Sequence, residues 1–242
     1  PAVRSGESRL WDVLLILVML IGAYFCFTGI NWGEGQFLHP DERFFVWVTA
    51  DISPVQSLGE YFNTETSSLN PHNRGHGFYV YGTLPIFMTR YLANALIGNP
   101  GWEDINLIGR ILSAVLDLLT VFVVSLIGRR LFNRKIGVLG AAFSAAAVMQ
   151  IQQAHFYVSD SFAVAFATLA VYFAICLLTE PVQSAEPEQR TRVSQPETLK
   201  YSLWFGLAIG MAMACKVNSG PMALLLPAAM LLRYLGLPAE QR

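Results

Sequence analysis

Seven apolar runs divide the chain, at residues 11–30, 78–97, 107–127, 136–153, 161–179, 201–215 and 222–235. Most approach the roughly 20 residues a helix needs to cross a bilayer core of about 30 Å. Their apolar residues do not alternate with polar ones as barrel strands would, so the runs predict helices. Two polar stretches separate them. Residues 31–77 are rich in Gly, Asn, Ser and Pro. Residues 180–200 carry Pro181, Pro187 and Pro196 among mixed charges and read as a flexible loop. The chain is 54% hydrophobic and only 14% charged, against roughly 25% charged in a soluble domain. Pattern and composition together predict an all-α integral membrane protein, a polytopic helical bundle.

Charge placement refines the topology. If all seven runs crossed, the basic segment Gly128-Arg-Arg-Leu-Phe-Asn-Arg-Lys135 would share a side with His39–Phe44, against the positive-inside rule. Residues 78–97 contain Gly82, Pro85 and Arg90, which suit a bent or interfacial helix. Removing that run from the crossings places Arg4, Arg9, Arg129, Arg130, Arg134, Lys135, Arg190, Arg192, Lys200, Arg233 and Arg242 on the cytoplasmic side. Only Arg43, Arg74, Arg90, Arg110 and Lys216 lie outside. The expectation is therefore one multi-pass module over residues 1–242 in a plasma membrane, with six crossings and both termini inside. Residues 31–106 form a large outer loop carrying interfacial helix 78–97, and residues 180–200 form a cytoplasmic loop. The first run is longer than a signal-peptide core and lacks a small-x-small cleavage site before Asn31. The chain begins at Pro1 and ends soon after an apolar run, so the reading expects it to be incomplete, above all at its C-terminal side.

This topology gathers an acid-and-base set on the outer face: Asp41 and Glu42, Arg74 and His76, Arg110, His155 and Asp160, and Lys216. Two adjacent carboxylates just beyond the first helix are placed where a general base could act on a lipid-linked substrate. Each residue also has a plainer role. Asp41 and Asp160 suit the first turns or caps of the helices that follow them. Arg110 and Lys216 suit anchors at helix ends. Asp117, inside an apolar run, is read as a structural hydrogen bond or ion pair to another helix. Gly206 and Gly210 suit a close helix contact. Cys26, Cys176 and Cys215 lie in apolar runs without metal-ligand spacing, and behave as small hydrophobes. Net charge is -1, which gives no electrostatic case for nucleic acid.

Four segments together resemble the N-terminal part of a GT-C glycosyltransferase of the protein O-mannosyltransferase and aminoarabinose-transferase type. They are His39-Pro40-Asp41-Glu42, Gly109-Arg110 through Gly128-Arg129-Arg130-Leu131-Phe132, His155-Phe-Tyr-Val-Ser-Asp160, and Met213-Ala-Cys-Lys216. The resemblance implies inverting transfer of a sugar from a polyprenyl-phosphate donor to an extracytoplasmic acceptor, protein or lipid. It implies Asp41 as general base, with Glu42 and Asp160 as further acids. Arg110, Arg74 or Lys216 would hold the phosphate, with His76 and His155 near the substrate. The chain departs from the family pattern at His76-Gly-Phe-Tyr-Val-Tyr-Gly82, where the proline comes late, at Pro85.

No cofactor is implied outright. Asp41 and Asp160 could share a divalent cation through oxygen ligands. The competing expectation is a non-catalytic membrane subunit that keeps the helical scaffold inside a larger complex of membrane proteins. A transporter is a third reading, with Asp117 as ion carrier, but no repeat or paired broken helices are evident.

Overall fold

The computed structural model describes residues 5–180 and 195–236. Among them there are helices and turns but no strand. The α-helices are α1 (Ser5–Phe27), α2 (Pro40–Asp51), α3 (Leu58–Phe62), α4 (Leu84–Ile97), α5 (Trp102–Leu131), α6 (Arg134–Ala145), α7 (Val148–Ala154), α8 (Ser159–Leu178), α9 (Gln195–Cys215) and α10 (Leu225–Leu235).

Four helical segments are long and apolar enough to cross a membrane: Arg9–Phe27, Trp102–Leu131, Ser159–Leu178 and Glu197–Cys215. A fifth arises if α6 and α7, bent by 62° at their junction, count as one span. Their outer surfaces suit lipid. Only 11% of the α1 span is buried, and Ile16, Leu20, Phe143, Leu203 and Leu207 are large apolar side chains left exposed. This is a helical protein with the makings of a membrane protein.

Helix α5 is the centre of the bundle, touching α1, α2, α4, α6, α7 and α8, while α9 and α10 pack on α8. Its ends explain its length. Asp104 caps the backbone N–H of Gly101 at 2.8 Å, Glu103 and Asp104 occupy the first turn, and Arg129 and Arg130 the last. Acids at the start and bases at the end both complement the helix dipole. The main core joins Phe45, Ile86, Ile105, Tyr157, Phe162 and Phe205 from five helices and one loop.

Several boundaries differ from those the apolar pattern predicts. The run at 78–97 becomes a helix only from Leu84, with Pro85 in its first turn. Residues 79–82 instead form an irregular strap with a bend at Tyr81. Gly82 N–H donates to the Cys215 carbonyl at 3.1 Å. A Cβ at Gly82 would collide with the Ala214 backbone, so only glycine permits the strap to sit this close to α9. The run at 136–153 is interrupted after Ala145, with Ala147 extended. No glycine or proline marks that break, and apolar periodicity could not reveal it. The run at 222–235 is a 3-10 segment, Val217–Leu224, followed by the short α10, as Pro221 and Pro227 favour. Helix α4 has 14 residues, about 21 Å. Within the expected loop 180–200, residues 181–194 lie outside the described residues, and the chain is helical again from Gln195.

Candidate functional site

The site is built around α2. His39 is its N-cap, its Nδ1 accepting from the Glu42 N–H at 3.4 Å, and Pro40 follows in the first turn. Asp41 and Glu42 are thus both first-turn acids. Adjacent helical residues point about 100° apart, and this separates their fates.

Glu42 faces inward and is fully buried. Arg110 of α5, 1% exposed, meets it with a two-pronged pair: Nε to Oε1 and Nη2 to Oε2, both 2.7 Å. Arg110 Nη1 donates to the carbonyls of Ile30 at 2.9 Å and Trp32 at 2.8 Å. Its guanidinium also lies 4.9 Å from the centre of the Trp32 ring. Glu42 Oε1 accepts a further bond from the Tyr157 backbone N–H at 2.8 Å. Four of the five guanidinium N–H groups are therefore aimed at protein acceptors. The pair locks α2, α5, the start of the loop after α1 and the α7–α8 connection together. In this position Glu42 and Arg110 form an internal clamp; neither presents its charge to a surface substrate.

Tyr157 completes the clamp. It is fully buried, its hydroxyl lies 2.9 Å from Thr49 Oγ1, and it donates to the Pro85 carbonyl at 3.3 Å. A Cβ on Gly109 would run into its ring, so the glycine makes room for the tyrosine against α5.

Asp41 faces the other way and is partly exposed. Beside it is Tyr81 from the strap. Burial pushes the Tyr81 phenol above its ordinary value, and the neighbouring Asp41 carboxylate adds to this, with a smaller contribution from Asp160. Asp160 sits in the first turn of α8, whose N-cap is Val158. Its carboxylate receives Lys216 Nζ at 2.7 Å, with side-chain exposures of 44% and 32%. The strap docks through the Gly82 N–H on Cys215, the residue before Lys216. Asp41, Tyr81, Asp160 and Lys216 therefore gather from four chain regions. A cavity of about 500 Å³ is lined by Pro40, Arg43, Phe44, Trp47 and Trp102 and by none of these four; its wall meets the cluster through Phe44, whose ring centre is 6.4 Å from that of Tyr81. Arg43 is exposed there and makes no ion pair with any described residue.

The remaining candidates lie elsewhere. His76 is buried and bonds Asp51 Oδ2 at 2.8 Å. Asp51 is ten residues along α2 from Asp41, about 15 Å up the axis. Arg74 donates to the Ser68 carbonyl at 3.4 Å on the same distant side. His155 Nδ1 is 2.8 Å from the Ile151 carbonyl and its Nε2 3.0 Å from that of Thr28, so it ties α7 to the end of α1. Asp117 receives the Cys26 thiol at 3.5 Å, a link between α1 and α5. The structure thus unites Asp41, Asp160 and Lys216, and leaves Arg74, His76 and His155 outside their cluster.

Two members of this arrangement were absent from the sequence reading. Tyr81 was hidden inside a run taken as helix, although Gly82 and Pro85 mark a turn and a helix start. Tyr157 carried no signal beyond its aromatic neighbours. The burial of Glu42 did carry one. Glu42, Phe45, Val46 and Thr49 follow the i, i+3, i+4, i+7 spacing of a buried helical stripe.

Chemically, a half-exposed carboxylate beside a phenol can accept and pass a proton, and the lysine supplies positive charge within the same cluster. Among the described residues, no group of three or more His, Cys, Asp or Glu is arranged to hold a metal ion. No protein-family model, curated protein or solved structure matches the chain.

Proposed function

We propose that this chain is a membrane-embedded glycosyl-transfer module working on a polyprenyl-phosphate sugar. The observation that supports the reading is the gathering of Asp41, Tyr81, Asp160 and Lys216 from four chain regions. Asp41 takes the proton from an acceptor hydroxyl or amine as that atom attacks the anomeric carbon. The bond from the sugar to the phosphate breaks on the opposite face, and the lipid phosphate leaves with the electron pair. Tyr81 orients the Asp41 carboxylate. With Arg110 engaged by Glu42, Lys216 within the cluster is the cation that balances the departing phosphate, while Arg43 lines the cavity on α2.

The same reading sets the chain in a plasma membrane with the cluster facing outward and helix α4, at about 21 Å too short to span, lying along the interface. The six crossings of this reading are the four long spans, the bent α6–α7 pair, and the 3-10 segment with α10. Laid end to end, the 8 and 11 residues of that last pair reach about 32 Å. Its ligands are the lipid-linked sugar, the acceptor protein or lipid, and the surrounding membrane lipids.

The test is transfer of labelled sugar from polyprenyl phosphate by the full-length protein. Asp41→Asn should lower turnover by two orders of magnitude or more, the range of general-base catalysis, while leaving the thermal transition unchanged. Unchanged turnover would remove Asp41 from the role. One observation favours the alternative of a non-catalytic membrane subunit: Leu58, Phe62 and Phe78 are exposed by 74% or more in the outer loop, apolar surface that suits a protein partner. Absence of transfer by a folded wild-type protein, with a partner retained on purification, would establish that reading instead.

A further inference from the structure

At the opposite end of α5 lies a second recess with different chemistry. Arg129 is nineteen residues beyond Arg110, about 28 Å along the helix, close to the thickness of a bilayer core. There α1, α5 and α6 enclose about 280 Å³. The recess is as narrow as it is because α5 and α6 meet backbone to backbone. A Cβ on Gly137 would strike the Ser125 carbonyl, and one on Gly128 would strike Gly137. Its walls are apolar: Leu15, Ile16, Phe122 and Leu126.

Its polar end is made of hydrogen-bond donors, two of them, the Trp11 indole and Arg129, with room for an acceptor. The Trp11 indole N–H is buried without a hydrogen-bond partner, a costly state for a donor. Lys135 lies over the Trp11 ring, 5.5 Å from its centre. Arg129 is exposed and makes no ion pair with any described residue. The acid in the recess, Asp12, is already engaged by Arg134 at 3.0 Å, so its charge does not oppose an incoming anion. An apolar slot ending in a free guanidinium and an orphan N–H is complementary to an acyl chain that ends in a phosphate. Basic pockets between membrane helices bind anionic headgroups on this basis.

We propose that the α1–α5–α6 recess is a binding site for an anionic phospholipid of the leaflet on the basic side of the protein. The phosphate oxygens accept from Arg129 and from the Trp11 indole, and one acyl chain lies along Ile16 and Phe122. The site is independent of the glycosyl-transfer reading, since it lies at the other end of α5 and uses none of the same residues.

Native mass spectrometry of the full-length protein with equal amounts of phosphatidylglycerol and phosphatidylcholine tests the assignment. The wild type should retain phosphatidylglycerol about five- to tenfold more than phosphatidylcholine, the preference expected from one well-placed cation and one hydrogen bond. Arg129→Gln should bring the ratio to within about twofold of unity, and Trp11→Phe should lower it by a smaller factor. Arg130→Gln should leave the ratio unchanged, because Arg130 is held by Thr179 and Glu180 away from the recess. Excess inorganic phosphate should not displace the lipid. The proposal is overturned if the wild type has no preference, if Arg129→Gln and Arg130→Gln lose it equally, or if free phosphate competes the lipid away. Arg129 is exposed, so its variant tests binding without breaking the fold; an unshifted thermal transition verifies this.

Discussion

Two acid–cation pairs in the molecule make an instructive contrast. Glu42–Arg110 and Asp160–Lys216 each join a first-turn carboxylate to a cation from a distant helix or turn at 2.7 Å. The first pair is sealed, with side chains 0% and 1% exposed; the second stands at 44% and 32%. The sealed pair spends its hydrogen bonds on the protein itself, including backbone carbonyls and a backbone N–H. The open pair keeps unfilled lone pairs and one side in contact with solvent or ligand. Charge and distance alone do not separate structure from chemistry here. What separates them is how many hydrogen-bonding directions the protein leaves open.

The sharpest way to break the contrast is to remove one member of the sealed pair. Glu42→Ala strands the Arg110 guanidinium and the Tyr157 N–H in a dry interior, and should cost about 3–5 kcal/mol. Urea unfolding in detergent micelles would record it, or failure to recover folded protein at all. If Glu42→Ala unfolds with the wild-type midpoint, the clamp has no structural weight. A second and smaller effect concerns alkaline pH. Tyr81 in the folded protein holds its proton above the ordinary tyrosine value of 10. Folded protein therefore binds more protons than unfolded protein between that value and the raised one, so stability is flat below about pH 10 and falls as pH rises through the window. Asp41→Asn should narrow the window, since it removes the neighbouring carboxylate but leaves partial burial in place. Ultraviolet titration of the phenolate, compared with Tyr81→Phe, reads this directly; an unmoved midpoint in Asp41→Asn would place the carboxylate away from the phenol. The smallest effect belongs to the open pair. Asp160→Asn should shift stability by less than about 1 kcal/mol, as solvent-screened pairs do. A loss matching that of Glu42→Ala would erase the distinction between the two.

The long helices were legible in the chain because each is a sustained apolar run without breakers. The helix starting at Pro40 was legible from its proline and its acids. What escaped were features decided by tertiary contact. The strap at 79–82 exists because Gly82 can approach the α9 backbone, and an apolar run looks the same whether it coils or lies flat. Of the two neighbouring acids, the phase of α2 was in the sequence, since Glu42 keeps step with Phe45, Val46 and Thr49. Its partner was not: nothing local says that Arg110, sixty-eight residues away, turns inward to meet it. The pairing of Asp160 with Lys216 depended likewise on α8 and α9 lying side by side, a fact of packing that no motif carries.

The docking of the strap on Cys215 has a consequence for synthesis. Asp41 is made 175 residues before Lys216, and the Cys215 carbonyl that anchors Gly82 comes with that lysine. A ribosome-bound intermediate that has inserted α1 through α8 exposes a bare Asp160 and an untethered Tyr81. The cluster is therefore complete only once α9 is in place, and chains that stop short of it display its acids without their counter-charge.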